Sequence, residues 1–269
     1  MPDTLALPIL GEMAPGGLTY GKNYLVEFDP HSLWYEASLT IAADSVRHGT
    51  RTDYHTFAHI PSDVKEALRR LGVNEKRLED ESTLRIVDSY SVTALLRPPE
   101  VIGGSSLVRS MEGSLNLKDW ANRNVDLVRA DIPEIEKKRL HIDDNTSVLL
   151  SYNDEKTFID HWRTNALSFA RIFDLCIFHS AVTGTYSENF YRQFESLCDG
   201  VIEFKSREEN ETIEQYVRIK ATRGRPHDSR WRRLRLLDNG EVVLDTLVPK
   251  ARELGIAGWL KGPKKSTSR

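Results

Sequence analysis

Short apolar runs alternate with amphipathic stretches through most of the chain. Residues 24–28, 52–57, 84–88, 139–143 and 175–180 are brief and largely apolar, as strands covered on both faces tend to be. Between them, 32–47, 62–71, 116–129, 155–173 and 188–197 read as helices. Within 155–173, Phe158, Trp162, Leu167, Ile172 and Phe173 fall roughly on one face at helical spacing. Ser62, between Pro61 and Asp63, predicts an N-cap with an acidic first turn. This alternation predicts βα units and a largely parallel sheet.

After Gly200 the texture changes. Residues 201–205, 212–220 and 234–237 read as strands joined by short loops, and 214–220 alternates polar with apolar positions as a half-exposed strand does. The C-terminal third therefore predicts strands added to one edge of the sheet. Residues 97–115, rich in Pro, Gly and Ser, read as a long loop. The expected organisation is a single domain over 1–250, followed by an extension, 251–269, whose end is a frayed basic tail.

Composition narrows the class. The chain has 269 residues, 39% hydrophobic and 29% charged, which suits one large α/β domain. A formal net charge of -3 excludes polyanion binding by bulk charge, so local charge must carry any nucleic-acid argument. The apolar runs are far shorter than the ~20 residues of a membrane helix, and the N-terminus lacks a basic leader region. Cys176 and Cys198 form no CxxC pair. A reduced, cytoplasmic compartment and no membrane partner are expected.

Candidate chemistry is sparse. His55 and His59 are four apart, but the segment reads as strand turning to loop, so the zinc logic of a helix does not apply. His141 and Asp143 alternate on one strand and could share a face, yet the pattern alone assigns no metal. No G-x-S-x-G elbow occurs near Ser180 or His179. The densest charge feature holds Arg218, Lys220, Arg223, Arg225, Arg230, Arg232, Arg233 and Arg235, with Trp231 interleaved. Such a run could track a nucleic-acid backbone and stack a base. The plainer reading is a solvated edge paired with Glu208, Glu209, Glu211 and Glu214.

The order of landmarks carries a resemblance. Gly16-Gly17-Leu18 and Tyr20-Gly21 precede the strand at 22–27; Tyr54–Val64 reads YHTFAHIPSDV; 72–88 runs from a helix end to the next strand; 139–143 reads Arg-Leu-His-Ile-Asp; and 220–227 reads Lys-Ala-Thr-Arg-Gly-Arg-Pro-His. Together they resemble the KaiC-like branch of the RecA superfamily of ATPases, over roughly residues 10 to 245. The resemblance implies a three-layer α/β/α sandwich with a mostly parallel central sheet and antiparallel C-terminal strands.

It also marks where nucleotide chemistry belongs. A working phosphate loop, G-x-x-x-x-G-K-[ST], closes backbone N–H groups on phosphate and adds a lysine and a magnesium-binding hydroxyl. The matching window here is Phe28-Asp29-Pro30-His31-Ser32-Leu33-Trp34-Tyr35. Phe28 and Leu33 replace the framing glycines, Trp34 the lysine and Tyr35 the hydroxyl, so the loop reads as degenerate and no nucleotide cofactor is expected. Trp34 is expected to fill the vacated pocket. Ala58 and His59 stand where the family carries a Glu-Glu pair. Asp143 matches the Walker B aspartate, a weak magnesium site on its own and otherwise a strand-end hydrogen-bond acceptor or helix cap.

By the same resemblance, Lys220 and Arg223 match basic residues that reach a neighbouring subunit's phosphates. The expected function is a non-catalytic regulatory or scaffold subunit, working as a homo-oligomer or with an active KaiC/RecA-like ATPase. A nucleic-acid-binding paralogue using 218–235, and an ATPase with an unorthodox loop, are the alternatives.

Overall fold

A computed structural model describes residues 4–74, 83–90, 108–110, 117, 138–150, 153–209 and 211–245. Its strands are β1 (Thr4–Leu5), β2 (Leu18–Thr19), β3 (Lys22–Phe28), β4 (Thr52–Thr56), β5 (Leu84–Asp88), β6 (Val108–Ser110), β7 (Arg139–Asp143), β8 (Leu175–Val182), β9 (Gly200–Glu209), β10 (Thr212–Thr222), β11 (Arg232–Leu236) and β12 (Val242–Leu244). Its helices are α1 (Trp34–Arg47), α2 (Pro61–Arg70), α3 (Ser147–Leu150), α4 (Glu155–His161), α5 (Leu167–Ile172) and α6 (Glu188–Leu197).

Ten strands form one sheet, in the order β12-β11-β10-β9-β3-β8-β7-β4-β5-β6. From β9 to β6 every neighbouring pair is parallel, and β9 through β12 are antiparallel. The two-residue strands β1 and β2 pair separately. Strand alternation sends successive side chains to opposite faces. Tyr24, Val26, Tyr54, Ile142 and Phe178 join a core with α1 and α2, through Ala37, Ile41, Val64 and Leu68. Leu25, Phe57 and Ala181 join a second core with α4, the turn that follows it and α6, through Phe158, Trp162, Phe190 and Phe194. The result is the three-layer α/β/α sandwich with antiparallel C-terminal strands.

Several local readings change. Helix α2 starts at Pro61, so Ile60, not Ser62, is its N-cap, and no side chain caps it. Proline's fixed φ suits the first helical position, where its missing N–H costs nothing. The segment 97–115 is not loop throughout, because β6 pairs with β5 inside it. A π turn, Trp162–Ala166, separates α4 from α5. Its wider winding breaks the helical phase, so Ala170 and Phe173 are buried while Ile172 is 62% exposed. Strand β9 runs on to Glu209, and β12 was not foreseen. The helix expected at 116–129, except Leu117, and the tail at 251–269 lie outside the described residues. Among the described residues, no helix is long and apolar enough to cross a membrane.

Candidate functional site

The loop joining β3 to α1 lies at the C-terminal edge of the parallel strands, where open α/β sheets bind ligands. Its backbone is tied to protein. Asp29 N–H donates to the Phe204 carbonyl at 3.0 Å and Ser32 N–H to the Asp29 carbonyl at 3.0 Å. Leu33 N–H donates to Gln215 Oε1 at 3.2 Å. The Gln215 amide in turn donates to the His31 carbonyl at 3.0 Å. Pro30 has no N–H to offer. The Asp29 carboxylate accepts from Thr183 Oγ1 at 2.6 Å and from Ser206 N–H at 3.2 Å, which fixes the loop to β8's exit and to β9.

Trp34 begins α1 and is 1% exposed. Its ring centroid lies 5.2 Å from Phe204 and 6.4 Å from Phe28. Its indole N–H donates to the Asp144 carbonyl at 2.9 Å, so the one polar atom of the side chain is satisfied inside the core. Tyr35 stacks on His59 with 3.6 Å between ring centroids. His59 Nδ1 sits 3.0 Å from Asp144 Oδ2, while Asp144 Oδ1 accepts from Phe57 N–H at 2.7 Å. Burial pushes the Tyr35 phenol up, and the Asp144 and Asp63 charges add to it. Burial also raises Asp144, against the opposing hydrogen bonds of His59 and Phe57.

Asp143, at the end of β7, is fully buried and accepts hydrogen bonds from His141 Nε2 and His179 Nδ1, each at 3.0 Å. Burial alone would raise its carboxyl; His141 and His179 hold it well below the usual carboxylate range. Beside it, Asp53 takes Arg85 Nε at 2.7 Å, Arg85 Nη2 at 2.6 Å and Arg139 Nη1 at 2.8 Å. These contacts overcome desolvation and hold Asp53 low as well.

The basic stretch is drawn inward onto its own chain. Lys220 Nζ lies 2.9 Å from Glu195, 3.6 Å from Glu203 and 3.7 Å from Glu27. Arg223 donates to the Ser196 carbonyl and Arg225 to the Gly16 carbonyl, the latter at 2.8 Å. Arg230 and Arg232 share Asp228 at 2.8 and 2.6 Å, and Arg233 pairs with Glu214. Trp231 is flanked by Arg218 at 4.5 Å and Lys205 at 5.4 Å. Of the acids expected to pair with this edge, Glu214 does so. Asp228, Glu195, Glu203 and Glu27 were not anticipated.

Sequence reasoning singled out His141 and Asp143 but missed His179 and Asn23 as their neighbours. His179 Nε2 lies 2.9 Å from Asn23 Oδ1. Each sits on a different strand, and the strand order that brings them together has no local signature.

The comparisons fit this architecture. No curated protein matches the sequence. A crystal structure of a KaiC-like protein from the hyperthermophilic archaeon Pyrococcus horikoshii OT3 superposes with a TM-score of 0.65 at 15% identity, covering 90% of this chain and 97% of that one. At that identity the likeness speaks for the fold. The family model described as "ATPase: KaiC" matches residues 10–247. With a match spanning most of its length, the chain belongs to the KaiC family.

Proposed function

We propose that this chain is a non-catalytic member of its family that acts through assembly, as a regulatory or scaffold subunit. Its partners are other copies of itself or an active KaiC/RecA-like ATPase. One observation carries the reading. The loop that would cradle phosphate has its Asp29, Ser32 and Leu33 N–H groups bonded to protein acceptors, and the buried Trp34 indole closes its helix end. A phosphate there would need free N–H groups and a cation. Trp34 and Tyr35, where a lysine and a short hydroxyl would stand, supply neither the cation nor a ligand for magnesium, and the buried indole fills the space, so these residues do not fit a magnesium nucleotide.

The remaining landmarks support the same reading. Asp143 accepts hydrogen bonds from His141 and His179 within the sheet, which supports a structural role for it. Lys220 is held by three carboxylates of its own chain, which supports a local role over donation to a neighbour. The pairing of Arg230, Arg232 and Arg233 with Asp228 and Glu214 likewise favours a solvated edge over a nucleic-acid track. Residues 1–250 are taken as one domain with an appended tail, working in the cytoplasm without a nucleotide cofactor.

Native mass spectrometry of the protein purified from cells tests this. The expected result is a complex of more than one subunit in which this chain carries no nucleotide. Recovery as a monomer, or with a stoichiometric nucleotide on this chain, overturns it.

A further inference from the structure

The interior of the sheet groups the Walker B-like Asp143 with two histidines, His55 and His141, that play no part in the phosphate loop. Strand β7 carries His141 and Asp143 two positions apart, so both point to one face. The β4–β7 register places His55 directly opposite Asp143. His55 and His141 have ring centroids 4.1 Å apart, and His55 Nδ1 is 3.9 Å from Asp143 Oδ1. One ligand atom from each of the three residues fits within a 4.8 Å spread. All three are buried, at 1%, 2% and 0% exposure.

Two features set this cluster apart from an ordinary buried hydrogen-bond network. First, His141 Nδ1 has no hydrogen-bond partner although the side chain is buried. Leaving a polar atom unsatisfied in the core is costly, because it has lost water without gaining a partner. Second, the carboxylate is oriented for more than one contact. His179 Nδ1 donates to Oδ2 at 3.0 Å, and His179 is itself fixed by Asn23 at 2.9 Å. Asp143 Oδ1 faces the two imidazoles, 3.0 Å from His141 Nε2 and 3.9 Å from His55 Nδ1, and a bound metal would replace the His141 hydrogen bond. Outer groups that hold a ligating carboxylate in this manner are the usual support of metal centres.

We propose that His55, His141 and Asp143 bind one divalent transition metal, zinc by their chemistry. Imidazole donors select zinc-like ions over magnesium, which takes oxygen ligands and retains water. Two imidazoles and a carboxylate are a familiar zinc set, with Zn–N and Zn–O lengths of about 2.0–2.2 Å. Donors around one ion then lie about 3.3 Å apart, so the widest separation here must close by roughly 1.5 Å. The site differs from the family's magnesium site in its donors: it uses no phosphate-loop hydroxyl, and its histidines come from strand interiors. Because it bridges β4 and β7, its metal would act on folding, by joining neighbouring strands of the core.

The test is metal uptake by full-length, tag-free protein. A buried site loads during folding, so the protein is unfolded, stripped with chelator and refolded with Zn²⁺ or with Co²⁺ as a spectroscopic reporter. The expected result is one equivalent per chain, a visible Co²⁺ band of low-symmetry nitrogen and oxygen ligation, and a melting temperature raised over the metal-free form. His55→Gln and His141→Gln, checked for folding by circular dichroism, are expected to lose the band and the metal-dependent shift. His31→Gln and His59→Gln, outside the cluster, are expected to keep both. Wild type that refolds without taking up stoichiometric metal overturns the proposal. So does a folded His141→Gln protein that retains the band. If neither cluster variant folds, the wild-type uptake and spectrum alone decide.

Discussion

The indole N–H of Trp34 donates to the backbone carbonyl of Asp144 across 2.9 Å of core, tying the first residue of α1 to the exit of β7. Asp144 also holds the exit of β4, through Phe57 N–H and His59. Three strand-end segments therefore meet on one aspartate and one tryptophan. The arrangement is closed: Trp34 contributes apolar surface against Phe28 and Phe204, and its polar atom is matched. A site so filled is stabilised by what occupies it. That filling supports the proposal that the loop takes no anion.

Restoring the family's residue types should therefore cost stability without creating an enzyme. The double substitution Leu33→Gly and Trp34→Lys removes the buried indole and places an ammonium group in its space. Losing a large buried aromatic costs on the order of 3–5 kcal/mol. Urea denaturation is expected to show a loss of that size, and a phosphate-release assay no ATP turnover. An equally stable double mutant that hydrolyses ATP would mean that the phosphate pocket is still preorganised.

The Asp53 site predicts a second, independent loss. Arg139 is 1% exposed and its Nη1 lies 2.8 Å from Asp53. Asp53→Asn keeps the shape and removes the charge that opposes this buried guanidinium. Breaking one side of a buried ion pair costs about 3–5 kcal/mol. A loss within experimental error in denaturant unfolding would show that the pair contributes only geometry.

Glu27 makes stability depend on pH. Burial is the main cause that raises its carboxyl to about 7, Glu195 and Glu203 add to it, and Lys220 only partly offsets them. The folded state then holds a proton that the unfolded chain, with an ordinary glutamate near 4.3, has released. Its contribution is fully present below the unfolded pKa and is lost as pH rises through about 7. Wild type is expected to gain stability relative to Glu27→Gln when pH is lowered from about 8 to about 5 across that window. Paired melting curves at the two pH values check this. A difference that does not change with pH contradicts it.

Much of the fold was legible because its signals are local. The five apolar strand segments and the amphipathic helices at 32–47, 62–71 and 188–197 each announce themselves within a dozen or so residues. The loop substitutions at Phe28, Leu33, Trp34 and Tyr35 were legible for a different reason: the resemblance supplied a pattern to depart from. What stayed hidden is non-local. The acids that pair with Lys220 are not its sequence neighbours Glu208 to Glu214 but Glu195, Glu203 and Glu27, and only the pairing of β10 with β9 and of β9 with β3 brings the last two near it. His55, His141 and His179 read as scattered histidines until β4, β7 and β8 line up. The π turn at Trp162–Ala166 shifts the helical phase without a Gly or Pro to mark it.

The central claim is that the β3–α1 loop does not receive nucleotide, and isothermal titration of the purified protein with ATP and Mg²⁺ tests it most directly. The account predicts no saturable heat at micromolar ATP and affinity no better than about millimolar, equivalent to about 4 kcal/mol of binding free energy. Micromolar, magnesium-dependent binding that is lost on adding a competing nucleotide would contradict it.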